Sequence, residues 1–201
     1  VKRILDEKNF PLMEEDIPGL CADRIDYFFR DMLICDFITK EQIDYLLNNL
    51  IVKDNQIIMK NKESALLLGK IYAKGSRELW APIHIVGQYN LLAQVMKSAV
   101  DRNIISEEDF FKTDKELYDI LLKDPKSKEK IELLRPDVKY IEDPNDYDFF
   151  VKTKLRYVDP LFLEGNQVKR LSEENSDYKK ELDDLKKFIA KGFYIKIVID
   201  S

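Results

Sequence analysis

The chain of 201 residues is 45% hydrophobic, enough apolar mass for one large core or two small ones and too much for a disordered polymer. Its 33 Lys+Arg against 38 Asp+Glu leave a net charge of -5 spread along the sequence, so no nucleic-acid surface is evident. Two cysteines, Cys21 and Cys35, without a pairing framework, no signal-peptide pattern, and no apolar run near the roughly 18 residues that span a bilayer predict a cytoplasmic chain with two free thiols and no membrane partner.

The chain opens on Val1 rather than Met, in charged, helix-like sequence, and reads as a fragment. A helix follows over residues 22–33. Ile25, Phe28, Phe29, Met32 and Leu33 stand at i, i+3, i+4, i+7 and i+8, an apolar stripe for a core. Asp23, Tyr27 and Asp31, at i, i+4 and i+8, form a polar line on the other side, about 6 Å apart, with Arg24 beside them. Asp26 and Arg30 have the spacing of an exposed ion pair worth about 0.3–0.5 kcal/mol. The polar line has two readings. It is the wet face of an ordinary amphipathic helix, or it is a site. A carboxylate is a hard oxygen ligand, an arginine neutralises phosphate bidentately, and a phenol donates a hydrogen bond.

Farther on, "TKEQIDYLLNNLI" predicts a helix with Thr39 as N-cap, and "NQIIM" at 55–59 a short strand or hairpin. From Ala81, apolar residues at Ile85, Leu92, Val95, Met96 and Val100 predict a buried helix face, and "SEEDFFKTDKELYDILL" a further helix or pair of helices. Trp80, ahead of a Pro-containing helix start, reads as a core anchor more readily than as part of an aromatic pocket with Tyr89. The charges of "KELYDILLKDPKSKEKIELL" read as a solvated helix face. His84, the sole histidine, has no neighbouring acid and reads as a helix-terminal or partly buried residue rather than a ligand. Gly69 and Gly75 are isolated, and no P-loop or dinucleotide fingerprint occurs.

Two prolines and five acids in "LLRPDVKYIEDPNDYD" predict a linker or domain-edge loop over residues 136–150. The expected organisation is a mainly α-helical part over 1–135, that loop, and a small α+β domain over 151–201. The last has strands at 151–158 and 193–199 around a helix from Ser176 to Lys191 closed by Gly192. The second strand, if exposed, offers an edge for a homo-oligomer.

The stretch "PGLCADRIDYFFRDM" resembles the last motif of the HD-domain metal-dependent phosphohydrolases, above all the branch of deoxynucleoside triphosphate triphosphohydrolases, whose pattern is D-[KR]-x-D-Y-x-x-R-D. The segments "LRYVDPLFL", "VKRLSEENSDYKKEL" and "GFYIKIVI" also look like the C-terminal region of bacterial-type members. The resemblance implies HD-superfamily C-terminal helices, Asp23 as fourth ligand of a divalent metal in an H…HD…D set, and Arg24 and Tyr27 on substrate phosphates. Asp31 would hold a sugar 3′-hydroxyl. The substrate would be a nucleotide or another phosphate ester, and the triphosphohydrolase branch would release a nucleoside and inorganic triphosphate.

Only 22 residues precede Asp23, none of them histidine, so the first three ligands of such a set are missing. The expectation is the C-terminal portion of a phosphohydrolase, inactive and without bound metal as it stands. The alternative is a non-catalytic helical regulatory or protein-interaction module derived from the same fold.

Overall fold

The computed structural model describes residues 9–199; the helix-like opening of the chain lies outside them. In chain order the helices are α1 (Ala22–Ile34), α2 (Lys40–Asn48), α3 (Lys62–Gly75), α4 (Ile83–Asp101), α5 (Asp114–Lys123), α6 (Pro125–Ile131), α7 (Leu171–Glu174) and α8 (Ser176–Lys191). The strands are β1 (Leu50–Lys53), β2 (Gln56–Met59), β3 (Lys139–Glu142), β4 (Phe149–Val151), β5 (Leu161–Glu164), β6 (Gln167–Arg170) and β7 (Phe193–Val198). The protein is therefore an α+β mixture throughout rather than a helical part followed by a small mixed one.

The described residues form two compact units, one from 9–80 with Lys154–Ala190, the other from Ala81–Thr153 with 191–199. Both are discontinuous, whereas the sequence suggested a serial division at 136–150. That stretch is not a plain loop, since it holds β3 and the start of β4.

In the first unit, α1 lays its predicted stripe into the core: Ile25, Phe28 and Met32 are buried, and Phe29 and Leu33 pack against them. The cap of α2 is the expected one and more: Thr39 Oγ1 accepts from the Gln42 amide, while Gln42 Oε1 accepts from the Thr39 amide, a reciprocal capping box. Strands β1 and β2 meet across Asp54 and Asn55, both at positive φ, the two-residue geometry whose twist matches an antiparallel pair. The sheet order is β1-β2-β5-β6, with β2 and β5 parallel at Met59 and Phe162. Leu46, Met59, Leu68, Tyr72, Phe162 and Tyr178 complete the interior. Each such side chain contributes about 1.5–3 kcal/mol by leaving water.

Residues 152–158, expected as a strand, join no ladder. The cause is local. The carbonyl of Arg156 accepts from Ser76 Oγ at 2.7 Å, and that of Val158 from Tyr178 Oη at 2.7 Å, so side chains occupy groups that a neighbouring strand would bond.

In the second unit, α4 buries Val86, Leu91, Val95 and Ala99. Of the face expected from the sequence only Val95 is fully buried; Ile85, Leu92, Met96 and Val100 flank it. Ile105, Leu121 and Ile131 close this core. The segment "SEEDFFKTDKELYDILL" forms a 3-10 turn at Glu107–Phe111 and then α5. The second sheet has the order β3-β7-β4. Strand β7 is thus the central one, paired with β3 over Ile195–Val198 and with β4 over Phe193–Ile195. Gly192 ends α8 at φ +70°, as a C-terminal glycine should.

Candidate functional site

The N-terminus of α1 builds the site. Its first amides are satisfied from the preceding loop: Ala22 N–H donates to Leu12 O at 2.7 Å and Asp23 N–H to Met13 O at 3.3 Å. The next residue, Arg24, is 9% exposed and grips the same loop: its guanidinium donates to the carbonyl of Gly19 and, at 2.9 Å, to that of Glu15. Loop and helix enclose a cavity of about 620 Å³, lined by Glu14, Glu15, Asp16, Asp23, Arg24, Tyr27, Tyr72, Lys154 and Arg156 among others. Small-molecule sites occupy roughly 300–1,000 Å³.

Three of the four residues singled out from the sequence therefore meet in one cavity. Asp23 is exposed, and its carboxylate makes no hydrogen bond or ion pair among the described residues. Tyr27 is half-buried, its hydroxyl 2.7 Å from that of Tyr72. Burial raises the Tyr72 phenol well above its ordinary pKa, and the hydrogen bond with Tyr27 adds to the rise, so Tyr72 stays a neutral phenol.

Asp31, the fourth, is not in the cavity lining. Its Oδ2 accepts from Trp80 Nε1 at 3.0 Å, and the Trp80 ring stands edge-on to Tyr27 and Tyr72 at 5.5 and 5.0 Å between centroids. Trp80 is thus the core anchor expected, and Asp31 orients it. Asp26 and Arg30 pair at 3.3 Å, both well exposed. His84, in the first turn of α4, is exposed in the other unit. Cys21 and Cys35 are free thiols.

Sequence reasoning missed Tyr72, Lys154, Arg156 and the acids at 14–16. Tyr72 was hidden in an apolar helix. Lys154 and Arg156 stand two residues apart in a stretch of strand-like composition that forms no strand. The cavity brings together carboxylates, of which Asp23 has no partner among the described residues, the cations Arg24, Lys154 and Arg156, and the phenols of Tyr27 and Tyr72. No group of three or more His, Cys, Asp or Glu that could hold a metal exists among the described residues.

An α+β unit with a mixed-charge cavity at a helix start is the class that fold and site define. Comparison with known proteins adds two relatives. The chain is 34% identical over 198 residues to the uncharacterized protein YdhJ of Bacillus subtilis, covering 96% of this chain and 60% of that protein. It is 22% identical over 167 residues to the metal-dependent phosphohydrolase cns2 of Cordyceps militaris, covering 79% of this chain and 48% of that one. The chain thus spans about half to three-fifths of the relatives it matches. No family model and no solved structure matches it. Among the described residues no helix is long and apolar enough to cross a membrane.

Proposed function

We propose that the chain is part of a divalent-metal-dependent phosphohydrolase of the HD type, acting on a nucleotide or another phosphate ester. The observation that carries this is the Asp23 carboxylate, unpaired at a cavity that also receives Arg24 and Tyr27. Such a carboxylate suits a metal that takes hard oxygen ligands, and the likeness to a protein named a metal-dependent phosphohydrolase points the same way. One carboxylate does not hold a catalytic ion by itself. The proposal places the remaining ligands in sequence outside these 201 residues, consistent with the share of the relatives left unmatched.

In this reading the ion supplies charge neutralisation and an activated water. Asp23 binds it. Arg24 has two of its five N–H groups engaged with Gly19 and Glu15 and lies against Tyr27, so its charge faces the same cavity. When Tyr72 donates to Tyr27, the Tyr27 proton is free for a phosphate oxygen. Asp31, engaged by Trp80, serves this site by fixing the aromatic wall behind Tyr27 rather than by meeting a sugar.

The test is Mn²⁺- or Mg²⁺-dependent phosphate or triphosphate release by the full-length protein over a nucleotide panel. Asp23→Asn is expected to abolish it, and unchanged activity in that variant overturns the assignment. The second reading is a non-catalytic regulatory module derived from the same fold. A full-length sequence without an H…HD pair would decide for it.

A further inference from the structure

We propose that α5 is a face through which two copies of the chain pair, antiparallel across a two-fold axis. The surface belongs to the second unit and is independent of the cavity and its reading. On its inner side α5 buries Leu121, with Leu117 and Ile120 packed beside it. Lys115, Tyr118 and Asp119 are exposed on the opposite side of the helix. Just ahead of α5, Phe111 is 92% exposed and Phe110 47%, and Tyr118 on the helix itself is 42% exposed. The backbone around the two phenylalanines is fixed. Ser106 and Asp109 close one capping box before them, Thr113 and Glu116 close another after them, and Lys112 pairs with Asp109 at 2.6 Å. Aromatic surface held in water on fixed backbone marks an interaction site.

Charge selects the occupant. Glu107, Glu108 and Asp114, ahead of α5 and in its first turn, are exposed and have no ion-pair partner among the described residues. Lys123, Lys126 and Lys130, at its last residue and beyond, are exposed and equally unpaired. The 10-residue helix, about 15 Å long, thus separates an acidic end from a basic one. Such a surface complements itself: a second copy laid antiparallel sets each acidic end on the other's basic end. Lys115 and Asp119, an i, i+4 pair at mid-helix, then meet their opposite charges in the other copy as well. The same arrangement carries each Phe111 toward the corner between α5 and α6, at Pro125 of the other copy. The three aromatics offer roughly 300–450 Å² per copy, about half of what each partner gives to a standard interface, so the dimer is expected to be of micromolar strength. An anionic membrane is repelled by the acidic end.

The test is sedimentation equilibrium on the 201-residue chain, with circular dichroism to check that each variant is folded. A monomer–dimer equilibrium is expected with a dissociation constant of about 10–100 µM at low salt, weakened at least about threefold in roughly 0.5 M NaCl because both ends are charged. Phe111→Ser should weaken it about tenfold or more. Glu107→Lys/Glu108→Lys makes both ends basic and Lys123→Glu/Lys126→Glu makes both acidic. Each double variant should be monomeric alone, and the two should pair when mixed, a rescue that mere damage to the fold would not allow.

A chain monomeric up to about 0.5 mM at low salt overturns the proposal. So does a dimer unchanged by Phe111→Ser and by both charge variants, which would lie on another surface, or a pair of charge variants that stay apart on mixing. A monomeric chain that floats with phosphatidylcholine vesicles, and ceases to in Phe111→Ser, assigns the phenylalanines to lipid and overturns it too.

Discussion

Arg24 stands where an arginine contacts phosphate in the resemblance to HD enzymes, yet it also clamps the loop ahead of α1. Replacing it with alanine removes two hydrogen bonds from a charged donor to the Gly19 and Glu15 carbonyls. Such bonds contribute about 1.5–3 kcal/mol each. Water at the cavity can replace part of the lost pairing, which sets the expected cost toward the low end, about 2–4 kcal/mol for the pair. For a chain of this size 1 kcal/mol moves the melting temperature by about 2–4 °C, so Arg24→Ala should melt roughly 5–15 °C lower. Arg24→Lys separates clamp from charge. An ammonium keeps the positive charge but lacks the planar fork that reaches two carbonyls, so it should remain well below wild type in stability. The assay is urea or thermal unfolding followed by circular dichroism, with probes in both units checked for coincidence, because two units need not unfold together. An Arg24→Ala protein within about 0.5 kcal/mol of wild type would refute the clamp and return Arg24 wholly to ligand binding.

Other expectations follow from the same physics. A Cβ on Gly69 would stand 2.6 Å from the Tyr178 hydroxyl, which is buried and committed to Val158, so Gly69→Ala should cost about 1–3 kcal/mol in urea unfolding. Tyr27→Phe strands the buried Tyr72 hydroxyl at about 1–3 kcal/mol. Tyr72→Phe leaves only the half-exposed Tyr27 to find water, at about 0.5–1.5 kcal/mol, and the reverse order in unfolding would refute the asymmetry. The hydrogen bond from Lys112, with the Ser106 amide, holds Asp109 down to about 2. A folded-state pKa below the unfolded value of about 3.9 means stability present above pH 4 and lost as pH falls toward 2, and Asp109→Asn should flatten that part of a pH series of unfolding midpoints. Arg102, bidentate on Asp124, depresses that carboxylate further, so Asp124→Asn should flatten the acid limb to still lower pH.

Local signals carried most of the helices. The α1 stripe, the Thr39 cap and the Gly192 terminus are each set by neighbours within a turn, and the structure keeps all three. What the sequence hid depends on partners far away in the chain. Residues 139–142 show no clean alternation, yet they pair with β7 from Lys139–Val198 to Glu142–Ile195, across more than fifty residues. Residues 152–158 have strand-like composition, and distant Ser76 and Tyr178 take their carbonyls instead. Propensity is a weak prior wherever tertiary bonds outbid it. The chain also crosses between units after Trp80 and returns at Lys154, which no local pattern records.

The same distinction runs through the site. Helical spacing places Asp23, Arg24 and Tyr27 near one another, and all three line the cavity; it says nothing of Trp80, 49 residues from Asp31, which donates to the Asp31 carboxylate. An i, i+4, i+8 line fixes which residues share a face; it does not fix which of them the fold leaves unpaired. Of the four, Asp23 keeps a carboxylate without a partner among the described residues, Arg24 is engaged by the loop at Gly19 and Glu15, and Tyr27 is held by Tyr72. Chemistry is available to a side chain in proportion to the bonds the fold has not already made with it. By that measure Asp23, whose carboxylate has no partner among the described residues, is the member of the line most available for chemistry.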